Sequence, residues 1–110
     1  MTQQNSSINR CVALIQPNTP FQIPSESHVK ITNFSILSED EDLNGSRATI
    51  MANVKTQTND KRPIEMNVAI SSFIIGSDYD QSCNILISPT DQCTLTIIGA
   101  HIPIQMIYYI

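Results

Sequence analysis

Four acidic residues stand in a row in this chain: Glu39, Asp40, Glu41 and Asp42, with no basic residue among them. Such an acidic patch attracts basic partners. The rest of the charge is balanced. Ten acidic residues against six basic ones give a net charge of −4, and the run accounts for all of it. A pI near 4.8 and the lack of a basic patch argue against direct nucleic-acid binding, which depends on neutralising phosphates. Lys61-Arg62 is the one adjacent basic pair, and it reads as a solvated turn. The acidic run is the candidate site for basic proteins. The plainer alternative is a solvated loop that aids solubility.

Other chemistry is sparse. His28 and His101 are the only histidines, and no group of His, Cys and Asp has metal-ligand spacing. Cys11, Cys83 and Cys93 are odd in number and form no CxxC pair. Their positions in alternating segments predict inward-facing, inert thiols. Cys83 and Cys93 could face each other across neighbouring strands. Gly45, Gly76 and Gly99 make no phosphate-binding loop, and no nucleophile–base–acid set can be picked out. The expectation is no enzyme activity, no metal and no cofactor. Two glycosylation-type triplets, Asn33-Phe34-Ser35 and Asn44-Gly45-Ser46, read as chance matches. The opening MTQQNSSINR lacks the apolar core of a signal peptide. No apolar stretch reaches the roughly 20 residues needed to span a bilayer. An intracellular protein with no membrane contact is therefore expected.

The elements that must carry the acidic run are strands. Isoleucine supplies the apolar content, with 18 Ile against 5 Leu and 5 Ala in 110 residues. β-Branched side chains lose χ1 freedom in helices and pack well on strands. Residues 1–9 read as a flexible segment, and 10–110 as one all-β domain. Cys11–Ile15 is a first strand, and Phe21 and Ile23 mark a short edge piece before Pro24. Val29 and Ile31 share one parity, and Phe34 and Ile36 take the other, which predicts a bulge or crossing at Asn33. The acidic loop, 38–46, closes on Asn44-Gly45. Ala48, Ile50, Ala52 and Val54 alternate, then Ile64, Met66, Val68 and Ile70, which reads as a hairpin. Cys83–Ile87, Cys93–Ile97 and Ile102–Tyr108 follow. About eight strands with no helix support a two-sheet sandwich or jelly roll. Ile98, Pro103, Ile107, Tyr109 and Ile110 lie off the core parity, which predicts an apolar subunit interface. The alternative is that both faces of these strands are covered within one subunit.

From Val29 onward the order of features resembles the nucleoplasmin/nucleophosmin core domain. Val29-Lys30-Ile31-Thr32-Asn33-Phe34-Ser35-Ile36 is similar to that family's third strand, which leads into a polar loop. Arg62-Pro63-Ile64-Glu65-Met66-Asn67-Val68-Ala69-Ile70 resembles its strand that opens on Pro and Ile. Cys93 to Ile102, with Gly99-Ala100-His101, resembles the closing strand that ends in Gly-x-His, the most specific of these motifs. Cys11-Val12-Ala13-Leu14 matches the first strand. The likeness covers about 90 residues.

The resemblance implies an eight-stranded jelly roll assembled into a pentameric ring, sometimes stacked as a decamer. It also implies a histone chaperone that shields core histones, and a nuclear location. Glu39, Asp40, Glu41 and Asp42 would carry histone binding, and five copies would bring about −20 to one ring. Two departures stand out. Asn9-Arg10 precedes Cys11 where the family has an aromatic-glycine pair, and the family's long acidic tail is not seen. The acidic run also falls in a loop that helps rings stack in the family, which counts against the decamer more than the pentamer. Two other readings stay open: a structural jelly roll of the viral capsid or spike type, and a monomeric ligand-binding sandwich.

Overall fold

The computed structural model describes residues 9–24, 26–37 and 40–110. The expected flexible segment therefore lies outside the described residues, apart from Asn9. Eight strands follow in order: β1 (Arg10–Ile15), β2 (Phe21–Gln22), β3 (Val29–Ile36), β4 (Arg47–Gln57), β5 (Pro63–Ile74), β6 (Asp80–Ile87), β7 (Gln92–Gly99) and β8 (Ile104–Tyr109). No α-helix occurs among the described residues, and one 3-10 turn spans Glu41–Leu43. All strand pairs are antiparallel, in two four-stranded sheets ordered β1-β8-β3-β6 and β2-β7-β4-β5.

Alternation builds the core. Ile15, Val29, Ile31, Phe34, Ile104 and Met106 from the first sheet meet Ala48, Ile50, Phe73, Leu95 and Ile97 from the second, all buried. Alternate residues of a strand face one side, so a one-residue slip would expel such a row from the core. The change of parity in β3 is resolved as expected. The register shifts between Ile31 and Asn33, which lets Val29, Ile31, Phe34 and Ile36 all point inward. At one flank of the core the Phe21 and Tyr108 rings meet edge-to-face with centroids 6.4 Å apart. Burial raises the Tyr108 hydroxyl above its ordinary range, with Cys11 adding to the effect.

The strongest motif has a steric cause. Gly99 holds φ +99°, and a Cβ there would stand 2.2 Å from the Arg47 carbonyl oxygen. That same oxygen accepts the Ala100 N–H at 2.9 Å, so β7 leaves β4 through a turn only glycine fits.

Three details differ from the sequence reading. The inward row of Ile64, Met66, Val68 and Ile70 continues at the other parity after a bulge. The register between β4 and β5 shifts after Ile50, which leaves Ile70 unpaired and hands the inward parity to Ser71 and Phe73. Cys83 and Cys93 do not face each other as neighbours, because β6 and β7 belong to different sheets. Only Cys93 is buried, while Cys11 and Cys83 are half-buried, and all three are free thiols. Burial raises the Cys93 and Cys83 thiols above their ordinary range, which keeps them protonated.

Asp91 ties the turn between β6 and β7 to β4. It accepts the Thr56 hydroxyl at 2.6 Å and the Ser88 hydroxyl at 3.1 Å. The bond from Thr56 is the main reason its carboxyl is held below the ordinary range. A carboxyl lowered on folding stabilises the fold above its unfolded pKa of about 3.9 and loses that contribution as pH falls through the folded value. Asp91→Ala is expected to cost about 1 kcal/mol at pH 7. In urea titrations its gap from wild type should close in acid, below about pH 4. Gly99→Ala should cost more than about 1 kcal/mol in the same assay.

Candidate functional site

The strand directions put four loops at one end of the sandwich: 16–20, the described residues of the acidic loop (37 and 40–46), 75–79 and 100–103. The acidic loop is one of them, and backbone bonds fasten it on both sides. Gly45 N–H donates to Ile75 O at 2.8 Å, Ile75 N–H to Ser46 O at 2.8 Å, and Ile36 N–H to Tyr79 O at 2.8 Å. Gly45 sits at φ +87°, as the Asn44-Gly45 turn requires. The Asn44 side chain occupies the space that a Cβ on Gly76 would need. Leu43 turns inward and packs on the core. Its neighbours on the same turn must then point out.

Asp40, Glu41 and Asp42 are exposed, while Glu39 lies outside the described residues. Asp40 caps the 3-10 turn by accepting the Asp42 N–H at 3.1 Å. Asp40 and Glu41 also line a hollow of about 130 Å³ against Ile36, Asn44, Gly76 and Tyr79.

The fold adds two carboxylates that sequence reasoning passed over. The loop 75–79 runs beside the acidic loop and brings Asp78 and Asp80 to the same end. Asp78 accepts the Ile74 N–H at 2.8 Å. Asp80 accepts from the Asn33 amide and from the Ser35 hydroxyl at 3.3 Å. Both are fixed by neutral donors, which leaves their charge uncompensated. The polar string Gly76-Ser77-Asp78-Tyr79-Asp80 is visible in the sequence, but its place beside 37–46 comes only from the sheet order. Arg47, which donates to Ser72 at 2.8 Å, is the basic residue at this end. The other five bases belong to the far half: Arg10 and Lys30 both pair with Tyr109, Lys55 pairs with Gln92, and Lys61 and Arg62 sit in the β4–β5 turn. Among the described residues the one salt bridge is Arg62–Asp60, at 2.9 Å and well exposed. The acidic end therefore carries five described carboxylates against one guanidinium, and no ion pair ties them up.

Of the five residues expected to form an interface, Ile107 and Tyr109 share one face, Ile110 packs on the core, and Ile98 and Pro103 lie elsewhere. Ile97 points into the core, so Ile98 points out from the sheet of β2, β4, β5 and β7, and it is exposed. Met106 points into the core from β8, so Ile107 and Tyr109 point out from the opposite sheet, where both are half-buried. Pro103 lies in the turn before β8. His28 and His101 are exposed and at opposite ends. No group of three His, Cys, Asp or Glu among the described residues could hold a metal ion. No helix among them is long and apolar enough to cross a membrane.

Compared with known proteins, the chain matches no protein-family model and aligns with no curated protein. The likeness to the nucleoplasmin core thus rests on the motif residues named above.

The acidic loop is held by backbone bonds and by Leu43, so its charges are separable from its fold. Asp40→Ala, which removes the cap, is expected to cost no more than about 1 kcal/mol. Circular dichroism should show an unchanged β spectrum and a melting temperature within a few degrees of wild type.

Proposed function

We propose that this chain is the eight-stranded jelly-roll core of an oligomeric chaperone for basic proteins, with core histones as the partner class. The observation that carries the reading is the segregation of charge. Asp40, Glu41, Asp42, Asp78 and Asp80 gather at one end, and five of the six bases lie in the other half. The strand order supports the fold half of the reading. Sheets ordered β1-β8-β3-β6 and β2-β7-β4-β5 suit an eight-strand roll of two Greek keys.

An isolated exposed carboxylate gains only about 0–1 kcal/mol from a lysine or arginine. Useful affinity for a histone therefore needs many such contacts at once. A ring of five would supply them by repeating the acidic end five times on one assembly. The same repulsion would oppose stacking two rings through these loops, so a pentamer fits better than a decamer. Salt should weaken the interaction strongly, because exposed charges are screened within about 8 Å at physiological ionic strength. A nuclear location follows from the partner class.

Two measurements test this. Light scattering behind a sizing column should give a mass near 61 kDa, five times 12.2 kDa. Fluorescence anisotropy with labelled core histones should show binding that falls steeply between 0.1 and 0.5 M salt, on the order of the Debye-length change involved. The combined variant Asp40→Asn, Glu41→Gln, Asp42→Asn should bind at least about tenfold more weakly. Unchanged affinity in that variant would remove the acidic end from the reading. Assembly without any preference for histones would favour a structural jelly roll of the capsid type.

A further inference from the structure

A hollow of about 880 Å³ opens at the end of the sandwich away from the acidic loops. That lies within the range of small-molecule sites, about 300–1,000 Å³. Its wall is mostly carbon, from Val29, Leu86, Ile87, Ile110 and the ring of Tyr109. Val29 and Ile87 are register partners on β3 and β6 and are buried, so they form a fixed floor. Leu86 beside them is 74% exposed, more than any other large apolar side chain described. Single exposed leucines are common and carry no message. A bare leucine on the wall of an apolar hollow extends a surface that a ligand would cover.

One cation stands among these carbons. Lys30 pairs with Leu86 on β6 and with Tyr109 on β8, so the three form a row across the outer face of their sheet. Lys30 makes no salt bridge among the described residues. The hollow's one lining carboxylate, Asp91, is already engaged. It accepts the Thr56 hydroxyl at 2.6 Å, the Ser88 hydroxyl at 3.1 Å and the Ser88 N–H at 3.4 Å. An ammonium set in an apolar wall is complementary to an anion whose remainder is apolar.

We propose that this hollow binds a single-chain amphipathic carboxylate, with its head group on Lys30 and its chain over Leu86, Ile87 and Ile110. Charge selects the head, since a neutral or cationic head gains no attraction from Lys30. Area selects the tail, since apolar burial stabilises roughly in proportion to the surface covered. The site is independent of assembly and of histone binding, because the acidic loops lie at the opposite end.

The experiment is calorimetric titration of the full chain with decanoate, with amide shifts in NMR spectra to place the ligand. Wild type is expected to bind, with shifts concentrated at 28–32, 86–88 and 109–110. Octanoate should bind about fourfold more weakly, the effect of two methylenes half-buried in an open groove. Decanol should bind about fivefold more weakly than decanoate, and Lys30→Gln should remove that difference. Leu86→Thr should weaken both ligands. Lys30 and Leu86 are exposed, and circular dichroism verifies that both variants keep the fold. No binding at millimolar decanoate would overturn the proposal, as would shifts centred on other residues. Decanol binding as tightly as decanoate, or Lys30→Gln keeping the preference, would overturn it too. Binding to anionic vesicles without binding to free decanoate would make this a membrane surface instead. Shifts at the same residues on raising protein concentration, with none from decanoate, would give the hollow to a second copy and overturn the ligand.

Discussion

Everything in this molecule depends on the dry layer between its two sheets. Burial of apolar area at about 25 cal/mol per Å² is the largest favourable contribution open to a chain with so few ionic contacts. Isoleucine supplies ten of the 18 buried residues described, with Phe34 and Phe73 as the largest members. Branched side chains have few rotamers to lose, which suits a core made of alternating rows. The constraint is strict, since each row must keep its parity from one end of its strand to the other. Where the sequence cannot keep it, at Thr32 and at Ile70, the register shifts and the parity is restored.

The acidic end follows from that layer rather than from local charge chemistry. Once β3 and β4 are fixed in different sheets, the segment between them must cross the end of the sandwich. The segment between β5 and β6 must cross there too. Backbone bonds between the two crossings satisfy groups that would otherwise be left unpaired. Leu43 anchors the turn inward, and the carboxylates take the remaining outward positions. Placing several like charges together costs stability through mutual repulsion, tempered by full exposure to water and salt.

Much of the fold was legible in the chain. The strand between Val29 and Ile36, its change of parity, the hairpin of 47–74 and the Gly-x-His turn all have local causes. Period-2 alternation, Pro and Gly punctuation and a single forced φ are properties of short segments. The candidate interface was only half legible. Parity alone says that Ile98 and Ile107 both point away from the core. It cannot say that they point away from it in opposite directions, because that depends on which sheet each strand joins.

The sequence by itself determined the all-β class, the strand segments, the inward rows and the one run of acidic residues, since each rests on neighbours a few positions apart. The tertiary structure alone decided the sheet order. That order brought Asp78 and Asp80 beside the acidic run and sent five bases to the far half. It also placed Lys30 between Leu86 and Tyr109. These are pairings between residues tens of positions apart. They are selected by the collective burial of all eight strands, a quantity that no single segment carries.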